Sequence, residues 1–317
     1  MRVLVTGAEG FVGRTMVRTL LAAGHDVWAG IRSGGPLEVP GLTPAERAAV
    51  TRTPLELLDT ASVDSVVECR PEAVVHLAAI ASGADARRDV GVAWAVNAAG
   101  TARVADALGR LRERGEADPV MLLVSSGEVY GGGMNRPRRE DDALVPCSPY
   151  AASKVGAEIA ALEVGRRTGL RVVVARPFTH TGPGQSDRAV APAFAARLRA
   201  ARRSGVTSVP TGNLDPVRDF LHVQDVVNAY LALLTHGVPG EAYNVARGEG
   251  VALHELFRRL AAYLDVAAVP EVDPALLRTA DIMHLVGDAS KLRAATGWQP
   301  TIALDRILKE VADAEAD

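Results

Sequence analysis

Glycines 7, 10 and 13 stand between a short apolar run, Val3-Leu4-Val5, and a stretch whose apolar residues Val12, Met16, Val17, Leu20 and Leu21 fall on one helical face before Gly24. A short apolar run ending at glycine is the pattern of a buried parallel strand, and residues 11–23 carry that of an amphipathic helix. Gly7-Ala8-Glu9-Gly10-Phe11-Val12-Gly13 is therefore a strand-to-helix junction. Its backbone can turn tightly and come close to a pyrophosphate, whose charge the helix N-terminus meets. The spacing is G-x-x-G-x-x-G, not G-x-G-x-x-G, and a tight turn alone already asks for glycine. Their place between a clear strand and a clear helix makes dinucleotide binding the stronger reading.

The alternation continues along the chain. Residues 26–31, 72–77 (EAVVHL), 119–124 (PVMLLV) and 170–175 (LRVVVA) read as further strands, and helical patterns cover 94–112 and 150–167. Strand and helix in turn predict an α/β fold with a doubly wound parallel sheet. After Pro177 glycine and proline become frequent and helical signals are broken by loops, yet 223–234 and 242–245 again read as a helix and a strand of the main sheet. The expected organisation is a dinucleotide-binding domain, 1–177 plus about 223–246, and a smaller discontinuous α/β substrate lobe, 178–222 and 247–317.

The bulk properties narrow the function classes. Net charge is −3, with acids and bases interleaved, so the basic footprint of a nucleic-acid binder is missing. Arg136, Arg138 and Arg139 read as a solvated loop. Cys69 and Cys147 have no C-x-x-C partner, so neither a metal site nor a disulfide is expected, which suits a reducing compartment. No apolar stretch reaches membrane-spanning length and the start lacks a signal-peptide pattern; the expected location is cytoplasmic.

Cofactor preference is read at the end of the second strand. NAD enzymes usually place an acid there to hold the ribose 2′-hydroxyl, whereas this chain has Gly30-Ile31-Arg32-Ser33. Arg32 is either a partner for a 2′-phosphate or an arginine in a solvent loop. NADP(H) is favoured, with NAD(H) possible.

Tyr150-Ala151-Ala152-Ser153-Lys154 carries the catalytic signal. Positions i and i+4 share one face of a helix, so the phenol and the ammonium project together, and a nearby ammonium is expected to lower the phenol's pKa toward neutrality. Tyr150 can then give or take a proton at an alcohol or carbonyl oxygen. Ser125-Ser126-Gly127-Glu128-Val129-Tyr130-Gly131 follows a strand and can present a hydroxyl to the same oxygen.

Together these segments resemble the extended short-chain dehydrogenase/reductase family of sugar-nucleotide epimerases, dehydratases and reductases, over essentially the whole chain. His76-Leu77-Ala78-Ala79, Asn97 and Arg176-Pro177 belong to the resemblance. It implies Ser126, Tyr150 and Lys154 as catalytic residues, with Lys154 also binding the nicotinamide ribose. It implies a cofactor site from Gly7, Gly10, Phe11, Val12, Gly13, Arg32, Glu56, Leu57, Leu77, Ala78, Ala79, Asn97 and Pro177, Glu56 standing where an Asp is usual. The segments 176–185 (RPFTHTGPGQ), 212–220 (GNLDPVRDF), 273–278, 287–292 and 296–300 look like those of the GDP-4-dehydro-6-deoxymannose reductases within that family. They imply a GDP-linked 4-keto-6-deoxy sugar as substrate, reduced at C4. The implied contacts are Ser82, Ser126, Glu128, Thr179, His180 and Asn213, with Arg218 and Arg278 on the diphosphate and Asp281 on the guanine. Thr179 replaces the usual Asn. Gly127 before Glu128 lacks one half of the acid/base pair that a dehydratase uses, so the residue set fits reduction better than dehydration. A 4-epimerase or 4,6-dehydratase with tightly held NAD(P), and more remotely a non-catalytic dinucleotide-binding module, are the alternatives. Helices over 94–112 and 150–167 resemble the pair through which this family forms a homodimer as a four-helix bundle.

Overall fold

The computed structural model describes residues 1–277 and 281–314. Its centre is a seven-stranded sheet built from β1 (Arg2–Thr6), β2 (Asp26–Arg32), β3 (Val50–Leu55), β4 (Ala73–His76), β5 (Val120–Val124), β6 (Arg171–Pro177) and the strand Ala242–Val245. The spatial order is Ala242–Val245, β6, β5, β4, β1, β2, β3, and every pairing is parallel. Helices cover both faces because side chains alternate along each strand. Val3 and Val5 join a core with Met16 and Leu20 of α1 (Phe11–Ala22) and with Leu233. Leu4, between them, joins the opposite core with Val63, Val104, Leu108 and Ala161. This is the doubly wound α/β arrangement the alternation predicts. The strand order reverses at β1, flanked by β4 and β2, and the crevice beyond the strand ends at such a point is where ligands bind in open α/β sheets.

A third apolar cluster gathers the helices Val190–Ser204, Leu253–Tyr263 and Leu304–Asp313 around Phe194, Leu198, Phe220, Phe257 and Leu308. Two buried aspartates tie later segments to the rest. Asp219 accepts backbone N–H bonds from Arg247 (2.9 Å), Gly248 (2.8 Å) and Gly287 (3.3 Å). Asp225, in the first turn of the helix Val223–His236, accepts those of Thr301 (3.1 Å) and Ile302 (3.0 Å) and the Thr301 hydroxyl (2.9 Å). Among the described residues no helix is long and apolar enough to cross a membrane.

One strand is not read from the sequence, and two local expectations change. β3 has no strong strand signal because Thr51, Arg52, Thr53 and Pro54 dominate it; it is the sheet's edge, where one partner suffices and proline is tolerated. The helix expected over 94–112 is interrupted by a π-helical turn, Ala95–Ala99, which contains Asn97. Arg136 and Arg139 are exposed, but Arg138 is not part of a solvated loop: it is wholly buried. Its guanidinium donates to the Gly131 carbonyl (3.0 Å), and its backbone pairs with Val286 and Asp288. A sequence cannot show that a loop is overlaid by a segment about 150 residues away.

Candidate active site

One cavity of about 700 Å³ lies at the switch point. Its wall includes the glycine turn, Arg32, Glu56, Leu57, Leu77, Ala78, Ala79, Ser126, Glu128, Tyr150, Lys154, Pro177, Thr179, His180, Arg218 and Asp281. Residues named from nine separate stretches of sequence thus share one wall. Ser82, Asn97 and Asn213 stand off it. Ser82 caps the helix Gly83–Arg88 by accepting from Asp85 N (3.2 Å), and Asn213 closes a turn by accepting from Asp215 N (3.0 Å). Arg278 lies outside the described residues.

The glycine turn packs as a dinucleotide cradle must. Gly7 has φ +69°, and a Cβ there would lie 2.9 Å from the Ala78 backbone; at Gly13 it would lie 2.1 Å from the Gly7 carbonyl. The backbone of α1 therefore closes directly onto the turn, and its first residues, Phe11 to Gly13, line the cavity, where a helix N-terminus suits an anion. A hydrogen-bonded chain fixes the facing loop. Ala78 N–H donates to Thr6 Oγ1 (3.2 Å), which bonds His76 Nδ1 (2.8 Å). His76 Nε2 bonds Thr101 Oγ1 (3.0 Å), whose hydroxyl donates to the Asn97 carbonyl (2.6 Å). Thr101 can then only accept, so Nε2 carries a hydrogen; with the ring kept neutral by burial, Nδ1 is the acceptor toward Thr6. Burial, helped by the Lys154 charge, holds the His76 pKa down at about 3. Asn97 braces the same loop: it accepts from Ile80 N (2.7 Å) and donates to the Ile80 carbonyl (3.1 Å) and to Ser153 Oγ (2.9 Å).

Tyr150 and Lys154 sit in the first turns of the helix Pro149–Thr168, capped by Ser148, whose hydroxyl accepts from Ala151 N (3.1 Å). Pro149 at the first helical position and the Ser148 cap make this start sharp. Ser153 donates to the Tyr150 carbonyl (2.7 Å), pinning that turn. Ser126 caps the short 3-10 turn Gly127–Tyr130, its Oγ accepting from Glu128 N (3.2 Å) and hydrogen-bonding the Tyr150 phenol. Ser125 is committed elsewhere, donating to Glu158 at 2.5 Å. Glu158 in turn forms a two-pronged, buried ion pair with Arg176 (3.1 and 2.7 Å).

The electrostatics correct one expectation. The Tyr150 pKa is raised, first by burial and then by the Glu128 charge, with only Ser126 pulling it down. Lys154 does not bring it toward neutrality. Burial instead lowers Lys154 itself to about 8, against the opposing field of Glu158. At neutral pH the pair is a protonated phenol beside a protonated but readily titrated amine.

Arg218 and Asp281 are brought together, but onto each other: a guanidinium nitrogen lies 2.9 Å from the Asp281 carboxylate, and Arg218 also donates to the Ile282 carbonyl (2.5 Å). Thr179 and His180 line the cavity, with His180 bonded to the Phe178 carbonyl (2.9 Å) and stacked parallel to Phe11. Among the cavity residues that the sequence reading does not assign to the site, two are chemically notable. Tyr230 brings a buried phenol from the helix Val223–His236, indistinguishable by periodicity from a core aromatic. Glu9 comes from inside the glycine motif, where the glycines draw all the attention.

Comparison with known proteins agrees with this geometry. The chain is 37% identical over 314 residues to GDP-6-deoxy-D-mannose reductase of Pseudomonas aeruginosa, covering 98% of this chain and 95% of that protein. It is 32% identical over 307 residues to UDP-glucose 4-epimerase of Mycolicibacterium smegmatis, covering 96% and 95%. The structure of RMD from Pseudomonas aeruginosa, complexed with NADPH, superposes with a TM-score of 0.82 at 35% identity, covering 98% and 97%. Residues 3–246 match the family described as NAD dependent epimerase/dehydratase, and to that family this chain belongs.

Proposed function

We propose that the protein reduces the C4 ketone of a GDP-linked 4-keto-6-deoxyhexose, with NADP(H) favoured and NAD(H) possible. The observation that carries reduction over dehydration is at Gly127. A Cβ there would lie 3.1–3.2 Å from the Phe178 ring, so a second acid beside Glu128 would crowd a buried aromatic. The choice of substrate is supported by the pseudomonad reductase at 37% identity and 98% coverage of this chain; NADPH is supported by the complex of the similar structure and by Arg32 on the cavity wall.

A bound reduced nicotinamide supplies the hydride; the chain's residues do the rest. The turn at 7–13 and the start of α1 would hold the pyrophosphate, and Lys154 would hold the nicotinamide ribose. Tyr150, kept protonated by burial and by Glu128, donates its proton to the carbonyl oxygen as that oxygen becomes an alkoxide, a much stronger base. Ser126 hydrogen-bonds the same oxygen and the phenol. The phenolate left behind sits in the first turn of the helix Pro149–Thr168, where the helix dipole favours negative charge, and Lys154 stands one turn on. Arg218 is assigned to the diphosphate and Asp281 to the guanine edge, roles that require their 2.9 Å pair to open.

The lobe formed by 178–222 and 247–317 is the nucleotide-sugar side of the cleft in this reading, and the working unit is a cytoplasmic homodimer. Trp94 and Ile159, exposed large apolar residues on the helices Val90–Trp94 and Pro149–Thr168, suit its interface. Incubation with NADPH and GDP-, UDP- or dTDP-4-keto-6-deoxyhexose, followed at 340 nm, tests the reading: the GDP sugar is expected to give the fastest oxidation, and none with any sugar overturns it. A 4-epimerase uses the same three catalytic residues and is supported by the mycobacterial relative; it predicts turnover without net cofactor oxidation.

A further inference from the structure

The end of β2 lacks the acid that usually receives the ribose 2′-hydroxyl of NAD(H), but a carboxylate reaches that place from another direction. Glu9, in the turn between β1 and α1, folds across so that Oε1 accepts the backbone N–H of Arg32, the last residue of β2, at 3.2 Å. Its other oxygen, Oε2, is covered from bulk water and has no hydrogen-bond partner among the described residues. Glu9 and Arg32 both line the cavity, beside Gly30, Leu55 and Glu56. A covered carboxylate oxygen without a donor is a costly arrangement, relieved when the carboxylate turns to meet a hydroxyl in the cavity. Arg32, by contrast, is an exposed guanidinium, free of the desolvation that makes a buried one bind strongly.

On the reading that this cleft holds a nicotinamide dinucleotide, we propose that Glu9 sets its adenosine-ribose specificity: the carboxylate accepts a hydrogen bond from the 2′-hydroxyl of NAD(H) and opposes the 2′-phosphate of NADP(H), which Arg32 favours. The two residues then act against each other. A phosphate beside Glu9 meets a like charge, and a hydroxyl beside Arg32 leaves the guanidinium in water at little loss. The chain accepts both cofactors, and Glu9 limits the preference for NADP(H).

Calorimetric titration of the full chain with 2′,5′-ADP and 5′-AMP, and with NADPH and NADH, reads this without catalysis. Glu9→Gln keeps an acceptor for the Arg32 N–H and removes the charge. It is expected to tighten 2′,5′-ADP relative to 5′-AMP about tenfold, with Arg32→Ala shifting the ratio the other way. Glu9→Ser, which also removes the charge but changes the local packing differently, is expected to shift it in the same direction as Glu9→Gln. A ratio altered less than about twofold in both Glu9 variants overturns the proposal. Binding of neither NADPH nor NADH overturns the dinucleotide reading and this inference with it. A ratio that moves as expected in a protein inactive on keto sugars upholds Glu9 and overturns only the substrate assignment.

Discussion

Glu158→Gln tests how the active site is held. The Glu158 and Arg176 side chains are 4% and 7% exposed, joined at 3.1 and 2.7 Å, and Ser125, next to Ser126, hangs on the same carboxylate. Neutralising Glu158 leaves the Arg176 charge buried with only the Tyr130 hydroxyl (2.9 Å), the Glu140 carbonyl (3.2 Å) and a glutamine oxygen around it. Breaking a buried pair by removing one partner costs about 3–5 kcal/mol. For a chain of this size that lowers the melting temperature by about 5–10 °C. Replacing both partners removes the stranded charge, so Glu158→Met with Arg176→Met is expected to recover part of the loss, with a coupling of about 2 kcal/mol. The same substitution has a second readout. Burial depresses the Lys154 pKa to about 8 while the Glu158 charge holds it up; without that charge the pKa falls further, and the alkaline limb of kcat/KM moves to lower pH. Urea denaturation and a pH–rate profile measure the two arms. A loss under about 1 kcal/mol with an unmoved alkaline limb would refute the reasoning for both.

Tyr150→Phe is expected to lower kcat by about 10²–10⁴ while leaving NADPH affinity nearly unchanged, measured by steady-state kinetics and cofactor titration. Gly13→Ala places a Cβ 2.1 Å from the Gly7 carbonyl; loss of NADPH binding and on the order of 3 kcal/mol of stability are expected, checked by fluorescence titration and thermal melting. Burial lifts the Asp219 carboxyl to about 6 against its three backbone N–H donors. The native state then keeps a proton that the unfolded chain has already released between pH ~4 and ~6. This group's contribution to stability therefore grows as pH falls from about 6 to about 4, and carboxyl ¹³C NMR should show its midpoint near 6.

The parts of this molecule legible in its sequence are those set by local pattern. β1, α1 and the glycine turn follow from apolar periodicity and from the backbone approaches at Gly7 and Gly13, and the Tyr150–Lys154 pair from helical spacing. What the sequence hid is long-range. β3 is polar because it is an edge, and Arg138 is buried because residues 284–288 fold over it. Arg218 and Asp281, 63 positions apart, were each assigned a ligand group, and nothing local shows that they meet. The direction of the Tyr150 shift is not legible locally for the same reason: i, i+4 spacing brings Lys154 near, but burial and Glu128 decide the balance.

The central claim, net reduction at C4 by this site, is tested most directly by isotope transfer. With NADPH deuterated at its transferable position and a GDP-4-keto-6-deoxyhexose, the account predicts one deuterium at C4 of the product for each NADPH oxidised. Conversion of a sugar nucleotide with no net NADPH oxidation and no deuterium at C4 would contradict it.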